Sequence, residues 1–422
     1  MKSSIFRSTI IYTLTDGLSK ALSFLVLPFI SYYLIPEQLG IVANFDVLQS
    51  IVMLLAGQAI VNGLPYFYYE RSHEKVAVLV SNLIYIIVFV NLAFSLIIIL
   101  LHGVIEEYLY IGIALQFLTL ISVVAQLISN INSVLYRLEE KPFAFARIQI
   151  LQTIIYLSLL VYLVFILKME AVGKIYSFVI SCACMSLFNA YLLYKRGYIV
   201  WKYSRNSIKE LLHFGIPLLP HSLSFWLKGG MDKVLLTTYC GLGANGLYSM
   251  AMSFGAIYAI FNTAFSNAYV PYLQKKLNLM TNDNGAEEKA KIVRNSYKIA
   301  CLFILLYFIV VGICWVVIYF VLDHKYKQSF QFVPWILLAL TFNAFYSLVI
   351  QYPYSVKKTF GLGIITFICS IVQLALTYFL IILYGMDGIK YSLVLGAMIT
   401  MIGVWWYSNR VYPMPWFKQI CK

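Results

Sequence analysis

The chain has 422 residues, of which 62% are hydrophobic and only 11% charged, and its mean hydropathy is +0.83. A soluble globular domain carries about 25% charged residues, so this composition excludes one and leaves a polytopic membrane protein. The net charge of +14 reads as topology and not as nucleic-acid binding, because Lys and Arg collect on one side of the spans given below.

The opening MKSSIFRSTIIYTLTDG has no small-residue cleavage site and runs straight into an apolar segment, so the first span is expected to stay in the mature protein. A window of about 19 residues predicts six spans in the first half, at 9–34, 41–64, 76–101, 108–136, 147–167 and 172–194. Six more follow at 212–239, 247–270, 299–322, 332–354, 360–383 and 389–406.

The halves are related. Residues 7–70 laid under 211–276 at a constant offset of 206 superpose Tyr33 on Tyr239, Gly40 on Gly246, Ile51 on Ile257, Pro65 on Pro271 and Tyr66 on Tyr272. The expected fold is therefore all-α, with twelve transmembrane helices in two parallel-repeat six-helix lobes around a central cavity. The lobes are 1–194 and 211–422, joined by a cytoplasmic linker at 195–210. Repeats of this kind place a substrate site between the halves near the bilayer midplane, so helices 1, 2, 7 and 8 are expected to line it.

With the N-terminus inside, the cytoplasmic side collects 23 Lys and Arg; the opposite side has five, Lys168, Lys174, Lys325, Lys327 and Lys390. Both termini are then cytoplasmic. No loop is long enough to be a folded domain. The polar stretches 194–210 and 274–296, rich in Lys and Arg, are expected at the lipid surface.

With the cations in loops or at span ends set aside, three remain within apolar spans: Lys20, Lys228 and Lys233. Each costs about 2.5–3.5 kcal/mol at a helix centre, so each must face protein or a water-filled cavity. In helix 1, Asp16 and Lys20 share a face at a spacing of four; in helix 7, His221, Lys228 and Asp232 share one at spacings of seven and four. Lys233 points about 100° away from Asp232 and lies nearer the external end, where it can snorkel to water. Two readings stand: a partly cationic cavity between the halves, or two intrahelical ion pairs that satisfy each other. Asp46, early in helix 2, reads as a solvated helix-end acid or as a coupling site.

The seven cysteines show no CxxC spacing and the five histidines no HxxxH pair, so no metal site and no disulfide framework is expected. Phosphate-binding Gly-rich loops, DxD pairs and GxSxG are likewise missing from the sequence. No enzymatic cofactor is expected, and transport would draw on an H⁺ or Na⁺ gradient or on consumption of the product.

The runs STIIYTLTDGLSKALSFLVLPFISYYLIPEQLGIVANFDVL and LLHFGIPLLPHSLSFWLKGGMDKVLLTTYCGLGANGLYSMA resemble the polysaccharide branch of the multidrug/oligosaccharidyl-lipid/polysaccharide exporter superfamily. They are most similar to O-antigen flippases of the Wzx type. The resemblance covers 7–70 and 210–276; elsewhere it is topological. It implies a bacterial inner-membrane protein that turns an undecaprenyl-diphosphate-linked oligosaccharide from the cytoplasmic to the periplasmic leaflet by alternating access. It also implies Lys20, Lys228 and Lys233 as cavity cations for the diphosphate, and Asp16, Asp46 and Asp232 as cavity or ion-coupling acids. The implied partners are the lipid-linked oligosaccharide, membrane lipids, a polysaccharide polymerase and a chain-length regulator, with no nucleic acid.

Two rivals differ in kind. A multidrug antiporter of the same superfamily suits a cavity dominated by carboxylates, whereas three lysines face three aspartates here. A membrane-embedded polymerase needs a sizeable external loop with catalytic groups, and only Glu106 and Glu107 pair up outside.

Overall fold

The computed structural model describes residues 11–416 except 13, 16, 20, 23, 70, 279–284 and 357, with only the backbone of 221, 267, 268, 275, 278, 285 and 359. All its regular elements are helices; no strand occurs among the described residues. Lipid supplies no hydrogen-bond partners, so a spanning segment must satisfy its own backbone, which a helix does.

Residues 11–25 lead into α1 (Leu27–Tyr33), followed by α2 (Pro36–Met53), α3 (Ala59–Tyr68), α4 (His73–Leu109), α5 (Ile113–Leu138), α6 (Pro142–Leu160) and α7 (Glu170–Lys195). Then come α8 (Arg205–Gly215), α9 (Leu219–Asn278), α10 (Gly285–Phe320), α11 (Val333–Val349), α12 (Gln351–Ser355), α13 (Thr359–Tyr384) and α14 (Gly388–Val411). Among the described residues, eight helical stretches are long and apolar enough to cross a membrane, Pro36–Tyr68 and His73–Leu109 among them. The chain is a multi-pass membrane protein.

It divides into two compact units, Met1–Gly246 and Leu247–Lys422. The first is built on Leu, Ile and Val of α2 to α5, with Tyr198 and Leu211 closing one end of that core. In the second, Leu273, Tyr352, Val404 and Trp416 share a core, with Tyr352 stacked on Tyr412 at 5.9 Å.

Two glycines mark where the spans bend. A π-turn, Leu54–Gln58, joins α2 to α3, and its Gly57 has φ 132° and ψ 11°. Inside α9 the helix breaks at Gly241, with φ 86° and ψ 169°; both conformations exclude a Cβ at little cost only in glycine. At the offset of 206, Gly241 corresponds to Ile35, the extended residue (φ −85°, ψ 162°) that precedes Pro36 and starts α2. The repeat read in the sequence thus reappears as two equivalent breaks.

Some boundaries differ from the predicted ones. The stretch expected as one span at 212–239 is divided into α8, a 3-10 turn at Ile216–Leu218 and the start of α9, because Pro217 and Pro220 bring no N–H to a helix. The span expected from 108 begins at Ile113, after Tyr110 (φ 53°, ψ 40°) ends α4.

The connection from α7 to α8 is strapped to the first unit. Arg196 pairs with Glu139 and donates to Asn132 Oδ1 at 2.6 Å, and Tyr198 Oη donates to Glu139 at 2.7 Å. Val200 N donates to Ser81 Oγ (2.9 Å), and Ser204 N to Asn82 Oδ1 (2.9 Å). Ser204 in turn caps α8 by accepting from Ser207 N.

Candidate functional site

Successive helical residues advance by about 100°, and this rotation sorts α2 into faces. Val42 and Phe45 pack on Ala171, Ile175 and Val179 of α7, with Phe45 edge-on to Phe178 at 6.5 Å. On another side, Ser50 Oγ accepts from Trp226 Nε1 of α9 at 3.0 Å, and the carbonyl of Val47 lies 3.4 Å from the same nitrogen. Asp46 falls between these faces and is exposed.

On α9, Trp226, Lys233 and Thr237 share a face, at spacings of seven and four. Trp226 meets Ser50 and Thr237 meets Asn44, so Lys233, placed between them, is brought opposite Asp46. Asn44 anchors this contact. Its Oδ1 accepts from Thr237 Oγ1 (3.0 Å) and Asn245 Nδ2 (2.8 Å), while its Nδ2 donates to the carbonyl of Leu109 (2.7 Å). All three polar side chains are buried, and buried polar groups persist only when paired in this way.

Lys174 completes the group. It lies beside the α7 face that packs on α2, and the Asp46 carboxylate is within electrostatic reach of both Lys233 and Lys174. Tyr156 of α6 is within reach of Asp46 as well. Two lysines and one aspartate are thus within electrostatic reach of one another.

Of the residues predicted from the sequence, Asp46 and Lys233 come together. Lys228 and Asp232 share a different face of α9, about 40° apart, with Asp232 buried and Lys228 half-buried. Asp16 and Lys20 lie outside the described residues. One position is corrected. Asp46 is not at a helix end but ten residues beyond Pro36, the first residue of α2. Lys174, counted with the loops and span ends of the external side, is the fifth residue of α7. Lys174 was missed because it stands near the edge of an apolar run, where a lysine ordinarily reaches for water. Its spacing from Ala171, Ile175 and Phe178 was the available signal.

No group of three or more His, Cys, Asp or Glu is placed to hold a metal ion among the described residues. A separate cavity of about 530 Å³ between α4, α5 and α7 is lined by Leu92, Leu120 and Ile128 with Asn91 and Ser186, and has no ionisable group in its lining.

A family model described as polysaccharide biosynthesis protein matches residues 33–331. The chain belongs to that family. A protein of the Lsg locus of Haemophilus influenzae is 24% identical over 424 aligned residues, covering 96% of this chain and 98% of the relative. The fold matches the lipid II flippase MurJ in its inward closed conformation, with a TM-score of 0.71 at 14% identity over 95% of this chain and 87% of that one. It also matches an inward-facing multidrug resistance MATE family transporter of the MOP superfamily, with a TM-score of 0.68 at 16% identity over 93% and 94% of the two chains. The polysaccharide branch read from the two quoted runs agrees with the family match, and the two solved transporters share the fold.

Proposed function

We propose that this chain is a flippase for an undecaprenyl-diphosphate-linked oligosaccharide, an O-antigen or similar repeat unit, carried from the cytoplasmic to the periplasmic leaflet of the bacterial inner membrane. Twelve helices in two six-helix lobes, 1–194 and 211–422, alternate access, with both termini cytoplasmic. The cycle is coupled to an H⁺ or Na⁺ gradient. The cavity cations Lys20, Lys228 and Lys233 attract the diphosphate, and Asp16, Asp46 and Asp232 serve as cavity or coupling acids. The product is passed to a polymerase and a chain-length regulator.

The observation that supports this reading best is that, among the described residues, Lys174 and Lys233 both lie within electrostatic reach of one carboxylate, Asp46. Enclosed cations attract an anionic headgroup more strongly than they would in water, because the surrounding dielectric is low. A site for cationic drugs would carry the opposite balance. Family membership and the MurJ-like fold point the same way.

The test is reconstitution of the purified chain in liposomes with a lipid-linked diphosphate saccharide, followed by lectin access to each leaflet. Equilibration of the saccharide between leaflets is expected with the protein and not without it. Unchanged sidedness, with transport of a cationic drug instead, would overturn the reading.

A further inference from the structure

This inference rests on the reading of the cargo as a lipid-linked oligosaccharide and concerns its uncharged part. We propose that Gln58, Asn62, Gln126 and Asn130 form a binding site for the saccharide, whose hydroxyl groups are held by their carboxamides.

Three observations carry it. First, the amides are joined in space. Asn130 Nδ2 of α5 donates to Gln58 Oε1 at 3.3 Å, and Gln58 Nε2 donates to Asn62 Oδ1 at 3.1 Å. Gln126 lies one turn before Asn130 on the same face of α5, and its Nε2 is buried with no hydrogen-bond partner among the described residues. Second, the group is open. Gln58 and Asn130 are half-buried and Asn62 is exposed, yet all four amides lie in apolar, membrane-length stretches, Pro36–Tyr68 and Ile113–Leu138. A carboxamide turned to hydrocarbon forfeits the hydrogen bonds that water supplies, so polar groups at such positions face protein or a water-filled path. Third, the backbone departs from a plain span here. Gln58 closes the π-turn Leu54–Gln58, whose Gly57 takes φ 132°. The residue inserted by such a turn sets the faces of α3 about 100° out of step with those of α2, and π-turns recur at functional sites. Gln58, Asn62 and Tyr66 then follow on one face at spacings of four, with Tyr66 exposed as well.

The chemistry selects the ligand. A carboxamide donates and accepts at once, as a sugar hydroxyl does, so linked carboxamides offer each hydroxyl both partners without a charge. A diphosphate would call for cations instead, and a prenyl chain for an apolar lining. The ring of Tyr66, one turn beyond Asn62, suits the apolar face of a sugar. In the proposed orientation Gln58 and Asn130 each stand six residues before the cytoplasmic ends of the spans 41–64 and 108–136, about 9 Å in, where a saccharide entering from that side meets them.

The test uses the full chain in lipid nanodiscs and two probes: the lipid-linked saccharide extracted from cells depleted of the chain, and undecaprenyl diphosphate, which has the carrier and no sugar. The wild type is expected to bind the first about ten-fold or more tighter than the second. Gln58→Leu and Asn130→Leu are expected to lose most of that preference while binding undecaprenyl diphosphate as the wild type does. Asn62→Ala, at an exposed position, is expected to keep the wild-type melting temperature and to lower the preference about five-fold. Equal binding of the two probes by the wild type overturns the saccharide site and leaves the proposed function standing. An unchanged preference in folded Asn62→Ala and Asn130→Leu assigns the amides to holding one another and overturns the site too, as does an equal loss of both probes. Depleted cells that contain no such lipid, or a folded wild type that binds neither probe, overturn the proposed function and this site with it.

Discussion

Gly40 and Gly246, equivalent positions of the two repeats, each pack against the first helical residue after the other repeat's break: a methyl at Gly40 would collide with the carbonyl of Leu242, and one at Gly246 with that of Pro36. Pro36 and Leu242 are themselves separated by the offset of 206, so the contact is reciprocal. Small residues at such a crossing let helix backbones approach within lipid, where close packing replaces the hydrophobic effect as the source of association.

Gly40→Ala and Gly246→Ala should each lower the thermal stability of the purified chain, by about 1–3 kcal/mol as overpacking does. Gly103→Ala, where an added Cβ meets nothing within 4 Å, should be neutral or slightly stabilising. Differential scanning fluorimetry in detergent checks it. Equal behaviour of all three variants would contradict the close approach.

Asn44→Ala should cost more than Thr237→Val. The first removes three bonds, from Thr237, from Asn245 and to the Leu109 carbonyl, and leaves only that from Asn245 to Thr237, at about 1–3 kcal/mol. The second removes two, from Thr237 to Asn44 and from Asn245 to Thr237, and leaves those from Asn245 to Asn44 and from Asn44 to Leu109 in place. Melting temperatures of the two variants give the order; the reverse order would show that the knot is not centred on Asn44.

The strap between α7 and α8 should respond to acid. Burial alone raises the Glu139 carboxyl, but hydrogen bonds from Lys141, Tyr198 and Arg196 outweigh it and hold the group below the usual carboxylate range. A carboxyl lowered in the native state adds stability that is whole above its unfolded value, about 4.3, and is lost as pH falls through its lower native one. Glu139→Gln should therefore melt below the wild type at pH 7, by roughly 1.5–3 kcal/mol, and the gap should close on acidification below about pH 4. A gap independent of pH would contradict the assignment.

Lys228 and Asp232 pose a question of role. A pair that exists only to neutralise itself is often dispensable as a pair, because removing both charges removes both desolvation costs. If Lys228 serves substrate, Lys228→Gln abolishes surface polysaccharide at normal protein levels and adding Asp232→Asn does not restore it. Recovery in the double variant would make the pair structural.

How far the sequence reached follows from what each signal encodes. Apolar runs locate spans directly, and His73–Leu109 contains the expected 76–101. The offset of 206 anticipated the equivalence of Ile35 and Gly241, since a break needs residues that a helix rejects. Asn44, Thr237 and Asn245 were not legible: a small polar residue in an apolar run looks the same whether it bonds its own helix or a distant one. Asp46 was misplaced for a related reason. Hydropathy counts position along a span but not rotation around it, and it is rotation that turns Asp46 toward Lys174 and Lys233.

The central claim is tested most directly in cells, by depleting the chain from its native bacterium and measuring which fraction of the lipid-linked saccharide can be labelled from outside in spheroplasts. The account predicts that the total rises while the externally accessible fraction collapses, and that the wild-type chain restores it but Lys233→Gln does not. An accessible fraction that stays the same with and without the chain would contradict it.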